Sequence, residues 1–295
     1  MELVVFACGD SFTAGDELAD DMFYPDSGLG NLTHQEWIDP ESQKSNTLRI
    51  QAIHQHKNNH KLTAEQKYNL EAENLRRAYP AKLYTKLSEK LNGQCVLHNY
   101  AAGGAGQEWI NREIIDKYLH ETKHGRTQGR KVIFLVGITY VNRIQYFSTS
   151  KSVNYWSSIM LHITDSITPQ INDIRKTAIM HEHEDARLHK WLLCNLLLKT
   201  FCQSKGIDLY FVRSVFGPEN LVNPIAIGEK QSFIGQSIVS LFDELDINYI
   251  INLEDIAKEQ DENAHIVKPG GHFVEYIHDM AADKIFNEFV AKYSL

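Results

Sequence analysis

Five short runs rich in apolar and β-branched residues punctuate this chain, at Leu3 to Cys8, Cys95 to Asn99, Val132 to Val136, Leu209 to Val212 and Tyr249 to Leu253. Stretches of helical periodicity separate them, at Tyr79 to Leu91, Trp109 to Glu121, Asp185 to Gln203 and Ile234 to Leu245, and a terminal helix is expected from Phe273 to Tyr293. A nearly continuous apolar run of strand length has to be covered on both faces, and a helical crossover lets successive strands run parallel. The alternation therefore predicts an α/β chain with a five-stranded parallel sheet between two helical layers. Lys205-Gly206 supplies a basic last turn and a residue suited to the left-handed cap at the end of the helix before the fourth strand.

Two regions break the rhythm. One, about 17–74, is polar and rich in Asn, Gln and His, with a helix expected around Thr63 to Arg76; the other, about 147–180, mixes aromatic and polar residues around Pro169. Both are read as insertions in a single domain spanning 1–295, and insertions after strand ends of an open α/β sheet flank its ligand site. They are candidates for specificity elements.

A formal charge of −8 gives no general attraction to polyphosphate, so nucleic acid is not expected as a partner. The opening MELVVFACGDSF has one apolar run of strand length, too short for a signal peptide or a membrane span, and the expectation is a cytoplasmic protein with no membrane partner. Cys8, Cys95, Cys194 and Cys202 lack zinc-ligand or disulfide-framework spacing and read as buried thiols. His54, His56 and His60, and His181 with His183, could suggest a metal; the second group opens a helix whose acidic residues suit the helix dipole, and no metal site is assigned. Tyr146, Phe147, Tyr155 and Trp156 would close a satellite core or line a groove.

Chemistry gathers at the two ends. The first strand runs into Gly9-Asp10-Ser11-Phe12-Thr13-Ala14-Gly15. A serine at the carboxyl end of a strand, in a glycine-flanked turn, stands where open α/β sheets bind ligands, although it could equally cap the next helix. Near the other end, Lys268-Pro269-Gly270-Gly271-His272-Phe273 places a histidine on the loop before the final helix. His272 could accept the proton of Ser11 and make it a nucleophile.

Together these ends resemble the SGNH (GDSL-like) hydrolases, serine esterases and lipases on a flavodoxin-like sheet. Gly9-Asp10-Ser11 is similar to the block that carries the nucleophile, and Gly271-His272-Phe273, with His278 six residues on, to the block that carries the base. Asn99-Tyr100-Ala101-Ala102-Gly103-Gly104-Ala105-Gly106 resembles the glycine block, in which Gly104, or Gly103 in a shifted register, gives the oxyanion-hole amide. Thr139 stands where the family carries its Asn, in Gly137-Ile138-Thr139 with Arg143 four residues later; Thr139, or Asn142 in its place, would donate to the oxyanion. The resemblance implies a three-layer α/β/α sandwich with strands in the order 2-1-3-4-5, no cofactor, and an oxyanion hole built from Ser11, Gly104 and Thr139.

One departure is larger. The family carries Asp two or three residues before the catalytic histidine, and here those positions are Gly270 and Pro269. Asp261, Glu262, Glu275, Asp279 or a backbone carbonyl would have to orient the ring. The resemblance implies hydrolysis of short acyl esters, with O-acetyl groups on a glycan as leading substrate. The rival expectation is a catalytically silent SGNH-like module that binds or builds, in a viral particle for instance.

Overall fold

The computed structural model describes residues 2–24, 31–33, 36, 52, 55–57, 59–141, 143–149, 154–160, 184–214, 219, 221–222, 225, 233–261, 264–268 and 272–295. Along the chain come β1 (Leu3–Cys8), α1 (Ser11–Ala14), α2 (Asp20–Phe23), β2 (Leu32–Thr33), α3 (Ala64–Arg77), α4 (Tyr79–Lys90) and β3 (Cys95–Asn99). Then follow α5 (Gln107–Lys123), β4 (Lys131–Ile138), β5 (Arg143–Thr149), β6 (Asn154–Met160), α6 (Glu184–Lys205) and β7 (Asp208–Arg213). The last elements are α7 (Phe233–Leu245), β8 (Tyr249–Asn252), α8 (Leu253–Lys258), β9 (His265–Val267) and α9 (Glu275–Tyr293).

The main sheet has the order β3-β1-β4-β7-β8, all parallel. Counting only those strands along the chain, this is the expected order 2-1-3-4-5. Every residue of β1 is buried, because the strand is flanked on both edges and covered on both faces. Leu3, Val5 and Ala7 pack with Tyr79, Leu83 and Leu87 of α4 and Ile277, Ala281, Ile285 and Phe289 of α9. Val4, Phe6 and Cys8 face the opposite core with Ile110 and Ile114 of α5 and Leu188, Leu192 and Leu198 of α6. The period-2 alternation of β1 thus feeds two cores at once.

The expected strand and helix positions hold to within a few residues, with physical reasons where they shift. Leu253 leaves the last sheet strand because the Asn252 side chain accepts from Glu254 N–H and caps α8. The terminal helix begins at Glu275 rather than Phe273: Phe273 bridges Val267 in antiparallel fashion, and Val274 N–H donates to Ile266 O. Gly206 closes α6 at φ 66°, as its sequence context suggests. Two pairings escape the periodicity. β2, from the first insertion, pairs antiparallel with β9, and β5 with β6 form a hairpin in which Phe147 pairs with Trp156. The side chains of Tyr146, Phe147, Tyr155 and Trp156 lie outside what is described, as do residues 161–183 with Pro169, His181 and His183, and also Asn142 and His54. No helix among the described residues is long and apolar enough to cross a membrane.

Candidate active site

Ser11 opens α1 immediately beyond the carboxyl end of β1. Asp10 caps this helix, Oδ1 accepting from Phe12 N–H at 3.2 Å, so the turn that presents Ser11 is set by its preceding residue. The turn is tight. Any Cβ on Gly9 or Gly137 would overlap Thr13 Oγ1, so both glycines are needed for the close approach of β1, β4 and α1. Tyr79 Oη donates to the same hydroxyl at 3.3 Å.

Asp10 is buried, and its second oxygen gathers the other blocks. Thr139 Oγ1 donates to Asp10 Oδ2 at 2.9 Å; Arg143 Nη1 lies 3.4 Å from the same oxygen, 3.2 Å from Thr139 Oγ1 and 3.0 Å from Ala105 O. One guanidinium therefore ties the serine loop, the glycine block and the end of β4. Burial pushes the Asp10 carboxyl upward, with Arg143 and the Thr139 hydrogen bond opposing it. A hydroxyl has one proton, and Thr139 gives it to Asp10, so in this arrangement it is not offered to an oxyanion.

The backbone of Thr139 is fixed by a closed ring of hydrogen bonds. Thr139 N–H donates to Gln107 Oε1, Gln107 Nε2 to Asn111 Oδ1, Asn111 Nδ2 to Asn195 Oδ1, Asn195 Nδ2 to Trp191 O, and Trp191 Nε1 back to Thr139 O. Gln107, Asn111 and Asn195 are all buried, and this circuit satisfies them across α5, α6 and the end of β4.

His272 arrives on a turn held by Lys268 N–H to His272 O at 2.6 Å and by the Val267 to Phe273 bridge. Its ring centroid is 4.9 Å from that of Phe12, the residue after Ser11. The sheet thus brings the two ends of the chain to one edge. Among the described residues no hydrogen bond joins Ser11 Oγ to His272; such bonds are often long without substrate.

No carboxylate stands at the expected place before His272; the one that meets its ring is Glu17. Its Oε2 accepts from His272 Nδ1 at 2.9 Å. A carboxylate there fixes the proton on Nδ1 and leaves the Nε2 lone pair to act as a base. Burial alone would lower the His272 pKa, but the hydrogen bond and charge of Glu17, with Asp16 and Asp10 behind it, raise it above the ordinary histidine value. Burial would conversely raise Glu17; the bond from His272, its charge and that of Lys57 bring it below the usual carboxylate range. Glu17 is held at φ 70°, a left-handed conformation unusual for a residue with a side chain. Such strain costs about 1–3 kcal/mol and collects at functional sites. Glu275 and Asp279, considered from sequence, are instead drawn to Lys82 at 2.9 and 2.6 Å. Glu262, also considered from sequence, lies outside the described residues.

The glycine block follows β3, its turn anchored by Ala102 N–H to Gly9 O at 3.0 Å. Gly104 sits at φ 77°, and a Cβ on Gly103 would overlap Asp16 Oδ2. A cavity of about 620 Å³ opens between this turn and the first insertion, with Asp16, Glu17, Lys57, Asn74, Gly103 and His272 in its wall; Ser11 is not among its lining residues. Its wall mixes the charged side chains with Ala14, Leu70, Leu75, Ala101 and Ala102. Burial pushes the Asp16 carboxyl up to about 6. Among the described residues no group of three or more His, Cys, Asp or Glu could hold a metal ion.

No protein-family model matches the chain, and no curated protein matches it. Similar solved structures include the psychrotrophic esterase EstA from Pseudoalteromonas sp. in a form inhibited by monoethylphosphonate (10% identity, 99% of each chain covered, TM-score 0.44). Others are a lipase/acylhydrolase from Enterococcus faecalis (10%, 99% of this chain and 97% of that one, TM-score 0.42) and the acetyl xylan esterase AlAXEase (12%, 97% and 98%, TM-score 0.39). At this distance the chemistry has to come from the chain's own residues.

Proposed function

We propose that this chain is a serine ester hydrolase in which Ser11 is the nucleophile, His272 the base and Glu17 the carboxylate that orients the base. The observation that carries this reading is the 2.9 Å bond between Glu17 Oε2 and His272 Nδ1, on a half-buried ring next to the serine loop. Ser11 Oγ attacks an ester carbonyl carbon while its proton passes to His272 Nε2. The C–O bond then breaks, and the departing alcohol takes that proton. Water attacks the acyl-Ser11, His272 again accepting a proton, and the acid leaves with Ser11 restored. The backbone amides of Ser11 and Gly104 are assigned to the oxyanion; Thr139 joins them only if its hydroxyl turns from Asp10.

A cavity that sets charged groups beside small apolar ones suits a short acyl group on a polar alcohol, and an O-acetylated glycan remains the favoured substrate. Hydrolysis of p-nitrophenyl acetate by the purified protein, with Ser11→Ala and His272→Ala as matched controls, tests this. Turnover lost in both variants supports the esterase. Turnover equal to the Ser11→Ala background supports the silent binding module instead.

A further inference from the structure

Lys57 comes from the first insertion, far from every motif that marks the site. Its Nζ lies 2.5 Å from Asp20 Oδ2 and 3.8 Å from Glu17 Oε1, the oxygen of Glu17 that does not bind His272. It also stands 5.6 Å from the ring centroid of Tyr24. Glu17 is thus gripped from both ends, by the imidazole on one oxygen and by an ammonium on the other. Asp20, at the start of α2, fixes the ammonium in place. This gives the insertion a direct physical link to the base.

We propose that Lys57 is a positioning residue that acts through Glu17, its ammonium limiting how strongly that carboxylate favours the protonated His272 ring. The proposal rests on the serine hydrolase reading for its catalytic meaning, but its electrostatic content stands on geometry alone. The groups facing the imidazole are Glu17, Asp16 and Asp10 from the serine loop and His278 from α9, with the Phe12 ring alongside. Those facing Lys57 are Asp20, Glu17, Asp16 and Tyr24. Arg143 compensates Asp10, and Lys57 is the cation that stands against Glu17. Burial works against its own ionisation, and Asp20 and Glu17 more than restore it.

Removing this cation leaves the negative charge of Glu17 facing His272 without compensation. The imidazolium is then favoured and the ring needs a higher pH to become a base. A unit charge one carboxylate-width away, in a partly solvated wall, should move the ring pKa by about 0.5–1 unit. The test is an NMR titration of ring-labelled histidine in the full chain, with the His272 signal assigned by its loss in His272→Gln. Lys57→Met and Lys57→Gln should each raise the His272 pKa by that amount, and Lys57→Arg should return it to the wild-type value. The acid limb of kcat/KM for p-nitrophenyl acetate should move by the same shift. An unchanged His272 pKa in a Lys57→Met or Lys57→Gln protein with wild-type circular dichroism, or no restoration by Lys57→Arg, would overturn the proposal. If the wild type does not turn over ester, the serine hydrolase reading fails, and the imidazole titration still decides the role of Lys57.

Discussion

Glu17 and His272, 255 positions apart in the chain, meet at 2.9 Å through a carboxylate oxygen and a ring nitrogen. In the proposed mechanism the acid that orients the base comes from the same loop as the nucleophile, so Ser11 and Glu17 are positioned by one turn while His272 is brought in by another. Asp10, at the head of that turn, is fastened to Thr139 and Arg143. The site is therefore assembled around the serine loop.

Glu17→Gln keeps the shape of the side chain and removes its charge. The amide no longer enforces the Nδ1–H form or stabilises the imidazolium. In serine hydrolases built around such an acid, the loss is about 10⁴-fold in turnover; here a fall of about 10²–10⁴-fold in kcat/KM is expected, with thermal stability measured in parallel to separate folding from chemistry. Retention of more than half the wild-type rate would remove Glu17 from the mechanism.

The pH profile follows from His272. With its pKa raised, the imidazole is neutral only above the ordinary histidine range, so under the proposed mechanism kcat/KM should climb with an acid limb higher than about 6.5. Stability moves the other way. A histidine whose folded pKa exceeds its unfolded value contributes stability that is complete below about 6.5 and disappears as pH rises through the folded pKa. In Glu17→Gln the acid limb should shift downward.

Arg143 is placed as the tie between three blocks. Arg143→Met leaves Asp10 buried with its charge less compensated, and breaking one side of a buried pair costs about 3–5 kcal/mol. Chemical denaturation should show a loss of that order, and Arg143→Lys, lacking the forked donor geometry, should recover only part of it.

His278 behaves oppositely to His272. Burial, with Lys82 and His272 nearby, pushes its pKa down to about 3, and its Nδ1 accepts from Tyr79 N–H at 3.3 Å. The unfolded chain binds this proton more readily, so stability should fall as pH drops below about 6.5 and continue to fall towards the folded pKa. Denaturation midpoints measured from pH 7 to pH 4 should decline less steeply in His278→Gln than in the wild type.

Much of this was legible in the residues themselves. β1 and β3 match the expected runs residue for residue; β1 is apolar throughout because both its faces are covered, whereas β3, at the sheet edge, is half-buried and ends in His98 and Asn99. Ser11 and His272 stood out through the glycine turns that a crowded sheet edge demands. Glu17 did not, since it sits at the border of a polar segment and nothing in its spacing says that the chain turns back towards a residue 255 positions on; the adjacent carboxylates of Asp16-Glu17 beside the serine loop were its only signal. Lys57 was hidden for the same reason. Thr139 was placed correctly at the end of β4, but its hydroxyl partner depends on where Asp10 points, which only the folded turn decides.

The most direct measurement is identification by mass spectrometry of the residue modified by a fluorophosphonate probe. A single adduct on Ser11, absent in Ser11→Ala and formed more slowly in Glu17→Gln, is the result expected of a nucleophile activated by the His272–Glu17 pair. No adduct on Ser11, or one formed at the same rate with Glu17 replaced, would contradict it.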